Sequence, residues 1–154
     1  MKNRKDAVDE ALEIYSKTMT EEQKQCLEEL TKAVVNYNHE KRREYYSELH
    51  YSFIIAAKKG IYAFSLIENM SDDKVRPFFS SKDNGSWYVL LTSPEEVAFC
   101  PVETCILIQI DSIISAAISD QEHEGICLNP YGRHPFYLPR ESLMRLRTIA
   151  DMEE

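Results

Sequence analysis

Glycine is scarce in this chain, which has four glycines in 154 residues, and no two of them lie close together. A phosphate-binding loop needs several glycines within a few residues, because its backbone must approach the phosphate closely. The G-x-S-x-G elbow of hydrolases is also absent, and no nucleophile motif lies near a histidine. The four histidines are His39, His50, His123 and His134. We therefore expect a protein that is not an enzyme.

Long apolar runs are missing as well. No uninterrupted apolar stretch approaches the ~18 to 20 residues that a membrane-spanning helix needs. The amino end, Met1–Asp6, is basic, but acidic helix-forming residues follow it instead of the apolar stretch of ~7 to 15 residues found in secretory signals. We expect a cytoplasmic protein that does not bind membranes.

Positive charge is in the minority, with 18 Lys and Arg against 26 Asp and Glu and a formal net charge of −8. Nucleic-acid binding requires a clustered positive surface. The basic run Lys41–Arg43 is flanked by Glu40 and Glu44, which leaves little net field. We expect no nucleic-acid partner.

The chain has four cysteines, Cys26, Cys100, Cys105 and Cys127, which could in principle form two disulfides. Disulfides rarely persist in a reducing compartment, so free thiols are the expectation. Cys100, Cys105, His123 and Cys127 are an alternative zinc quartet, since two pairs of soft ligands can enclose a tetrahedral ion. Cys105 and Cys127 stand in apolar runs, however, where a thiol packs as a small hydrophobe. We favour packing and expect neither a metal nor another cofactor.

The first fifty residues have helical periodicity, with apolar residues three and four apart. Thr20 and Gln23 form a capping-box pattern that predicts the start of a second helix. From residue 51 onward, short β-branched and aromatic runs predict strands. Tyr51 to Ala57 and Ile61 to Glu68 are predicted to pair around Gly60, and residues 75–81 with 86–92 around Asn84-Gly85. The prediction for this part of the chain is therefore a meander of four antiparallel strands.

The second half alternates between helix and strand. Pro94 predicts a short helix, residues 105–110 a strand, and Asp111 the cap of a helix over 112–119. Residues 125–129 and 135–138 are predicted strands, and a helix follows Pro139. The chain is thus predicted to be an α+β protein with a mixed, largely antiparallel sheet and helices packed on it. An N-terminal helical arm, residues 1–50, precedes an α+β domain, residues 51–154.

This order of elements, with the strand at residues 87–93, the Pro94 helix and the run GICLNPYG at residues 125–132, resembles that of the SseB-like (enhanced serine sensitivity) bacterial proteins. The resemblance covers about residues 51–150. It implies a small α+β domain in a bacterial cytoplasmic protein, a binding role and no catalytic residues.

The turn from Asn129 to His134 is the most function-like stretch, because Pro130 and Pro135 restrict its backbone and binding residues concentrate on loops of rigid scaffolds. The tentative binding residues are Asn129, Tyr131, Arg133 and His134. Alternatively, this is a plain hairpin turn in which the Asn129 side chain satisfies local backbone amides.

Three functions remain open. The first is a non-enzymatic protein–protein interaction domain, whose partner is another protein or a second copy bound through the helical arm. The second is a small-molecule binding or hydrolytic domain with a pocket near the Asn129–His134 turn. The third is an immunity or toxin-neutralising protein, since an acidic chain suits basic partners. We favour the first.

Overall fold

The computed structural model describes residues 4–69, 75–101 and 104–152. Within these ranges the chain forms α-helices, β-strands and one 3₁₀ helix. In chain order they are α1 (Arg4–Thr18), α2 (Glu21–His39), α3 (Arg43–Lys58), β1 (Tyr62–Asn69), β2 (Val75–Pro77), β3 (Phe79–Lys82), β4 (Gly85–Leu90), the 3₁₀ helix (Pro94–Phe99), β5 (Cys105–Gln109), α4 (Ile110–Ser119), β6 (Gly125–Leu128), β7 (Phe136–Pro139) and α5 (Arg140–Met152). The predicted α+β class is confirmed.

The capping box predicted for α2 is present. Thr20 Oγ1 accepts a hydrogen bond from Gln23 N at 3.2 Å, and Gln23 Oε1 accepts one from Thr20 N at 3.4 Å. These bonds satisfy two amides that have no partner inside the helix. Within the described residues, no helix is both long enough and apolar enough to cross a bilayer.

The strand predicted over Tyr51–Ala57 is wrong, because these residues lie in α3. Phe53, Ile54 and Ala56 are buried while Tyr51 is 63% exposed, which is the burial pattern of a helix with one face in the core. Gly60, at φ +70°, follows the end of α3 and does not form a hairpin turn. The predicted boundary at residues 50 and 51 lies inside α3.

The strands form two linked sheets, in the orders β2-β1-β5 and β3-β4-β6-β7. Two backbone bonds between Phe64 and Leu91, at 3.1 and 2.8 Å, join them. The hairpin of β3 and β4 is confirmed, and Asp83 and Asn84 have the positive φ angles its turn requires. The four-strand meander is wrong, because β1 pairs with β2 and β5, while β4 pairs with β6 in parallel.

Two clusters of buried side chains lie on opposite sides of the sheet. Leu90 belongs to the first cluster and its neighbours Val89 and Leu91 to the second, as alternation along a strand requires. The first cluster contains buried residues of α2, α3, α4 and α5. The second contains Ala7 and Ala11 of α1 and Val97 of the 3₁₀ helix. Helices therefore cover both sides of the linked sheets. Helices α2 to α5 lie on the first side, and α1 and the 3₁₀ helix lie on the second.

Helix α4 begins differently from the prediction. Gln109 is its N-cap residue and makes no side-chain capping bond, while Asp111 lies in the first turn. The Asp111 carboxylate instead accepts a bond from Arg147 of α5 at 2.5 Å. Asp111 thus ties α4 to α5 and does not cap its own helix.

Candidate functional site

The Asn129–His134 turn follows β6, beside the carboxyl end of β4. These two strands form a parallel pair, and ligands of open α/β sheets commonly bind at the carboxyl ends of parallel strands. Thr92, Ser93 and Pro94 leave β4 at the same edge. The structure therefore places the predicted turn where this geometry favours a site.

Asn129 holds the two strand ends together. Its Oδ1 accepts a bond from Thr92 N at 2.9 Å, and its Nδ2 donates to Thr92 Oγ1 at 3.0 Å. Thr92 Oγ1 is 2.8 Å from Thr31 Oγ1 of α2, so the network reaches a helix. Asn129 is 2% exposed and has φ +52°. Its amide thus satisfies a backbone amide of another strand and faces the interior.

Tyr131 is half-buried and packs on the second cluster, and burial raises the pKa of its hydroxyl to about 12. The neighbouring Gly132 lies against the Glu96 carboxylate so closely that any side chain at position 132 would collide with it. Glu96 Oε2 is buried and has no hydrogen-bond partner among the described residues. Burial, with a smaller effect from Glu95, raises the pKa of Glu96.

The remaining two predicted residues point elsewhere. Arg133 is exposed, and the His134 ring lies 5.0 Å from the ring of His39 at the end of α2. The four predicted residues therefore do not converge on one pocket: Asn129 faces inward, Tyr131 contacts the second cluster and His134 contacts α2.

An aromatic patch lies beside His134. We define it as Tyr37 of α2, Tyr46 and His50 of α3, and Phe136 of β7. Ring centroids are 5.5 Å apart for Tyr37 and Tyr46, and 5.4 Å apart for Tyr37 and Phe136. His50 lies 4.1 Å from Tyr46 and 5.7 Å from Phe136. Three elements thus bring four rings into contact, and Tyr46 remains 43% exposed.

Cationic side chains surround the aromatic patch. Lys41 Nζ lies 4.4 Å from the centroid of the Tyr37 ring, within the range of a cation–π contact. Arg145 of α5 is close enough to His50 to lower its pKa. Arg133 is exposed on the adjoining loop. Lys41, Arg133 and Arg145 are thus the cations near the patch, while Glu40 and Glu44 flank the Lys41–Arg43 run and Glu40 pairs with Arg42.

Acidification is expected to destabilise the protein through His50. Burial lowers the pKa of His50 from 6.5, and Arg145 lowers it further, although the bond from His50 Nδ1 to Tyr46 O at 2.8 Å opposes the shift. Because the folded pKa is lowered, the unfolded chain binds the proton first, and stability falls as pH decreases below 6.5. One proton limits this slope to about 1.4 kcal/mol per pH unit. Urea unfolding at several pH values between neutral and mildly acidic measures this slope. The free energy of unfolding of His50→Asn should depend less on pH than that of the parent chain. An unchanged slope in the variant would refute the assignment to His50.

Two cavities lie away from the patch. One, of about 360 Å³, is at the carboxyl end of β4 and has walls from the predicted helical arm. It is lined by Leu12, Tyr15, Glu28, Thr31, Lys32, Thr92, Ser93, Pro94 and Glu95. The other, of about 440 Å³, lies between α3, α4 and α5. None of Tyr131, Arg133 and His134 lines either cavity.

The zinc alternative has no geometric support. Among the described residues, no three metal-ligating side chains come together. Cys100 and Cys127 are buried, and burial raises the pKa of Cys127 to about 12. His123 stacks on Phe79 with ring centroids 3.8 Å apart and contacts Asp120 at 2.6 Å. These groups pack or pair within the fold.

Sequence reasoning missed two groups of residues. The first includes Asp120, which accepts a bond from the Tyr88 hydroxyl at 2.7 Å, and this bond lowers the pKa of Asp120. The aromatic patch was also missed. Its signal was the spacing of Tyr46 and His50, four residues apart within the predicted helical arm, which brings two side chains together on one helix face.

No family model, curated protein or solved structure matches the chain. The resemblance to the SseB-like proteins stays a prediction.

Proposed function

We propose that this chain is a non-enzymatic interaction domain that binds a partner protein through the aromatic patch and the adjoining Asn129–His134 turn. The observation that carries the proposal is the ring cluster itself, which three elements assemble beside the turn and which leaves Tyr46 exposed. The partner would present an apolar side chain to the rings and acidic side chains to the cations around them.

The chemistry of the patch supports this assignment. Aromatic residues and arginine are enriched at protein interfaces, where a few of them supply most of the binding energy. His50 and Phe136 are held between neighbouring rings, so binding would immobilise few additional side chains. Lys41, Arg133 and Arg145 would complement an acidic partner and increase its association rate at low salt.

A matched pair of variants on one helix tests the proposal. Tyr46→Ser removes an exposed ring of the patch, whereas Tyr51→Ser removes an even more exposed ring of α3 that makes no ring contact with the patch. Proteins retained by the immobilised chain from an extract of its own cells are quantified by mass spectrometry. We expect one acidic protein to be retained at least about tenfold less by the Tyr46 variant. Retention by the Tyr51 variant should match that of the parent chain.

Salt provides the second arm of the experiment. Retention of the partner should fall steeply with ionic strength, because the surrounding cations are exposed to solvent. Equal retention by both variants, or a partner that is basic, would refute the proposal.

The cavity at the end of β4 favours small-molecule binding as a second candidate function. Its volume of about 360 Å³ is within the usual range for ligand sites. Glu28 and Glu95 flank the Tyr15 hydroxyl, and burial with these charges raises its pKa to about 12. Glu28 and Glu95 outnumber Lys32, the one cationic residue among the described lining residues, so the cavity suits an organic cation. Thermal-shift screening with arginine, lysine and putrescine tests this second function. A ligand at ~100 times its dissociation constant stabilises the native state by about 2.7 kcal/mol, so a bound cation would raise the melting temperature.

A further inference from the structure

Among the described residues, strand β5 is an edge of its sheet, and its hydrogen-bond register shows which backbone groups face outward. Ile110 N donates to Ile61 O at 3.0 Å, and Ile67 N donates to Thr104 O at 3.1 Å. Antiparallel bonding alternates, so Ile106 and Ile108 bond to β1. The N–H and C=O groups of Leu107 and the N–H group of Gln109 therefore point away from β1, while the Gln109 carbonyl belongs to the start of α4.

This edge lacks the features that usually prevent strands from pairing. The strand Cys105–Gln109 contains neither a charged residue nor a proline, and Ile106 is 39% exposed. Elsewhere among the described strands, Lys82 lies in the edge strand β3 and Pro139 in the edge strand β7. Charge and proline are common protections of edge strands. The lack of both in β5 singles it out as the edge that can accept another strand.

We propose that two copies of this chain associate by antiparallel pairing of β5 about a twofold axis at Leu107. Each Leu107 would then exchange both backbone bonds with Leu107 of the second copy, as an isologous interface requires. Ile106 would lie opposite Ile108 of the second copy on the same sheet face, and apolar cross-strand pairs stabilise a sheet. The strand is thus complementary to itself in both backbone and side chains.

The expected dimer is reversible. Pairing of two five-residue edges buries less than the ~1,200 Å² at the lower limit of specific stable interfaces. Monomer and dimer should therefore exchange as protein concentration changes. The aromatic patch is not part of this interface, so dimerisation and partner binding can be tested separately.

Gln109→Pro is the sharpest test. The Gln109 N–H points away from β1, and the backbone angle at this residue, φ −65°, is the one that proline adopts. The variant should keep the monomer fold while removing one donor from each copy at the interface. Sedimentation equilibrium should show a concentration-dependent dimer for the parent chain and at least about tenfold weaker association for the variant.

A charged pair of variants makes the test independent of how the chain tolerates proline. Ile106→Lys places a charge at the interface, and Met144→Lys makes the same change at a residue of α5 that is 45% exposed. We expect the first to abolish the dimer and the second to leave it intact. In the parent chain, hydrogen exchange of the Leu107 amide should slow as protein concentration rises.

Three outcomes would overturn the inference. In the first, the parent chain is monomeric at all concentrations tested. In the second, the Leu107 amide exchanges at a rate independent of protein concentration. In the third, the dimer survives Ile106→Lys and dissociates with Met144→Lys, which would place the interface on a helix.

Discussion

Replacing Gly125 with alanine should destabilise the protein by about 4 kcal/mol, the combined effect of ~1–3 kcal/mol of backbone strain and ~1–3 kcal/mol of steric overlap. Gly125 has φ +152°, a conformation that side chains other than hydrogen strongly disfavour. A Cβ atom there would overlap Leu138 O and lie 2.9 Å from Arg140 N, both of which are backbone atoms. Neither can move without displacing β7 or the start of α5.

Gly60→Ala is the matched control. Gly60 also has positive φ, +70°, but its added Cβ would lie 3.7 Å from Gln109 Nε2, which is an ordinary van der Waals contact. Gly60→Ala should therefore lower the free energy of unfolding by only about 1 kcal/mol, from the backbone conformation alone. Urea unfolding followed by circular dichroism measures both variants. Equal losses for the two glycines would show that the contact with β7 is not what constrains position 125.

Asn129→Ala is expected to lower the free energy of unfolding by about 3 kcal/mol. Thr92 N loses its acceptor in a place where Thr92 is 2% exposed, and a buried donor without a partner costs ~1–3 kcal/mol. The positive φ of Asn129 adds about 1 kcal/mol when alanine must adopt it.

Two further variants separate these contributions. Asn129→Gly loses the same hydrogen bonds without the conformational penalty, so it should be about 1 kcal/mol more stable than the alanine variant. Asn84→Ala tests the conformation alone, since Asn84 has φ +67° in an exposed turn. A loss at Asn84 as large as the loss at Asn129 would mean that the bonds to Thr92 contribute nothing.

Local signals predicted much of the fold. The capping box of α2, the Asn84-Gly85 hairpin and the strand before α4 depend on residues close in sequence, and their chemistry can be read directly. The second half of α3, from Tyr51 onward, was predicted as a strand because its β-branched and aromatic residues favour one, whereas the periodicity of its buried residues is decided by what packs against it. The parallel pairing of β4 with β6 has no local signal at all.

The candidate site was predicted only in part. The turn was located correctly, since two prolines and an asparagine mark it in the sequence. The bond from Thr92 to Asn129 depends on the pairing of β4 with β6. The contact of His134 with His39 depends on where α2 ends. These contacts join residues far apart in the chain. The role of the turn in binding remains a prediction.

The covering of the sheet by α2 and α3 has a consequence for biosynthesis. Their buried residues pack with Ile126, Leu128 and Leu138, which a ribosome adds much later. At ~5–20 residues per second, about 4 to 16 s separate completion of α3 from completion of β7. During that interval Ala63 of β1 and Leu90 of β4 are added, but Ile126, Leu128 and Leu138 are not yet all present to complete the cluster around Leu27, Leu30 and Phe53. We therefore expect the nascent chain to be a substrate for chaperones that shield apolar helices.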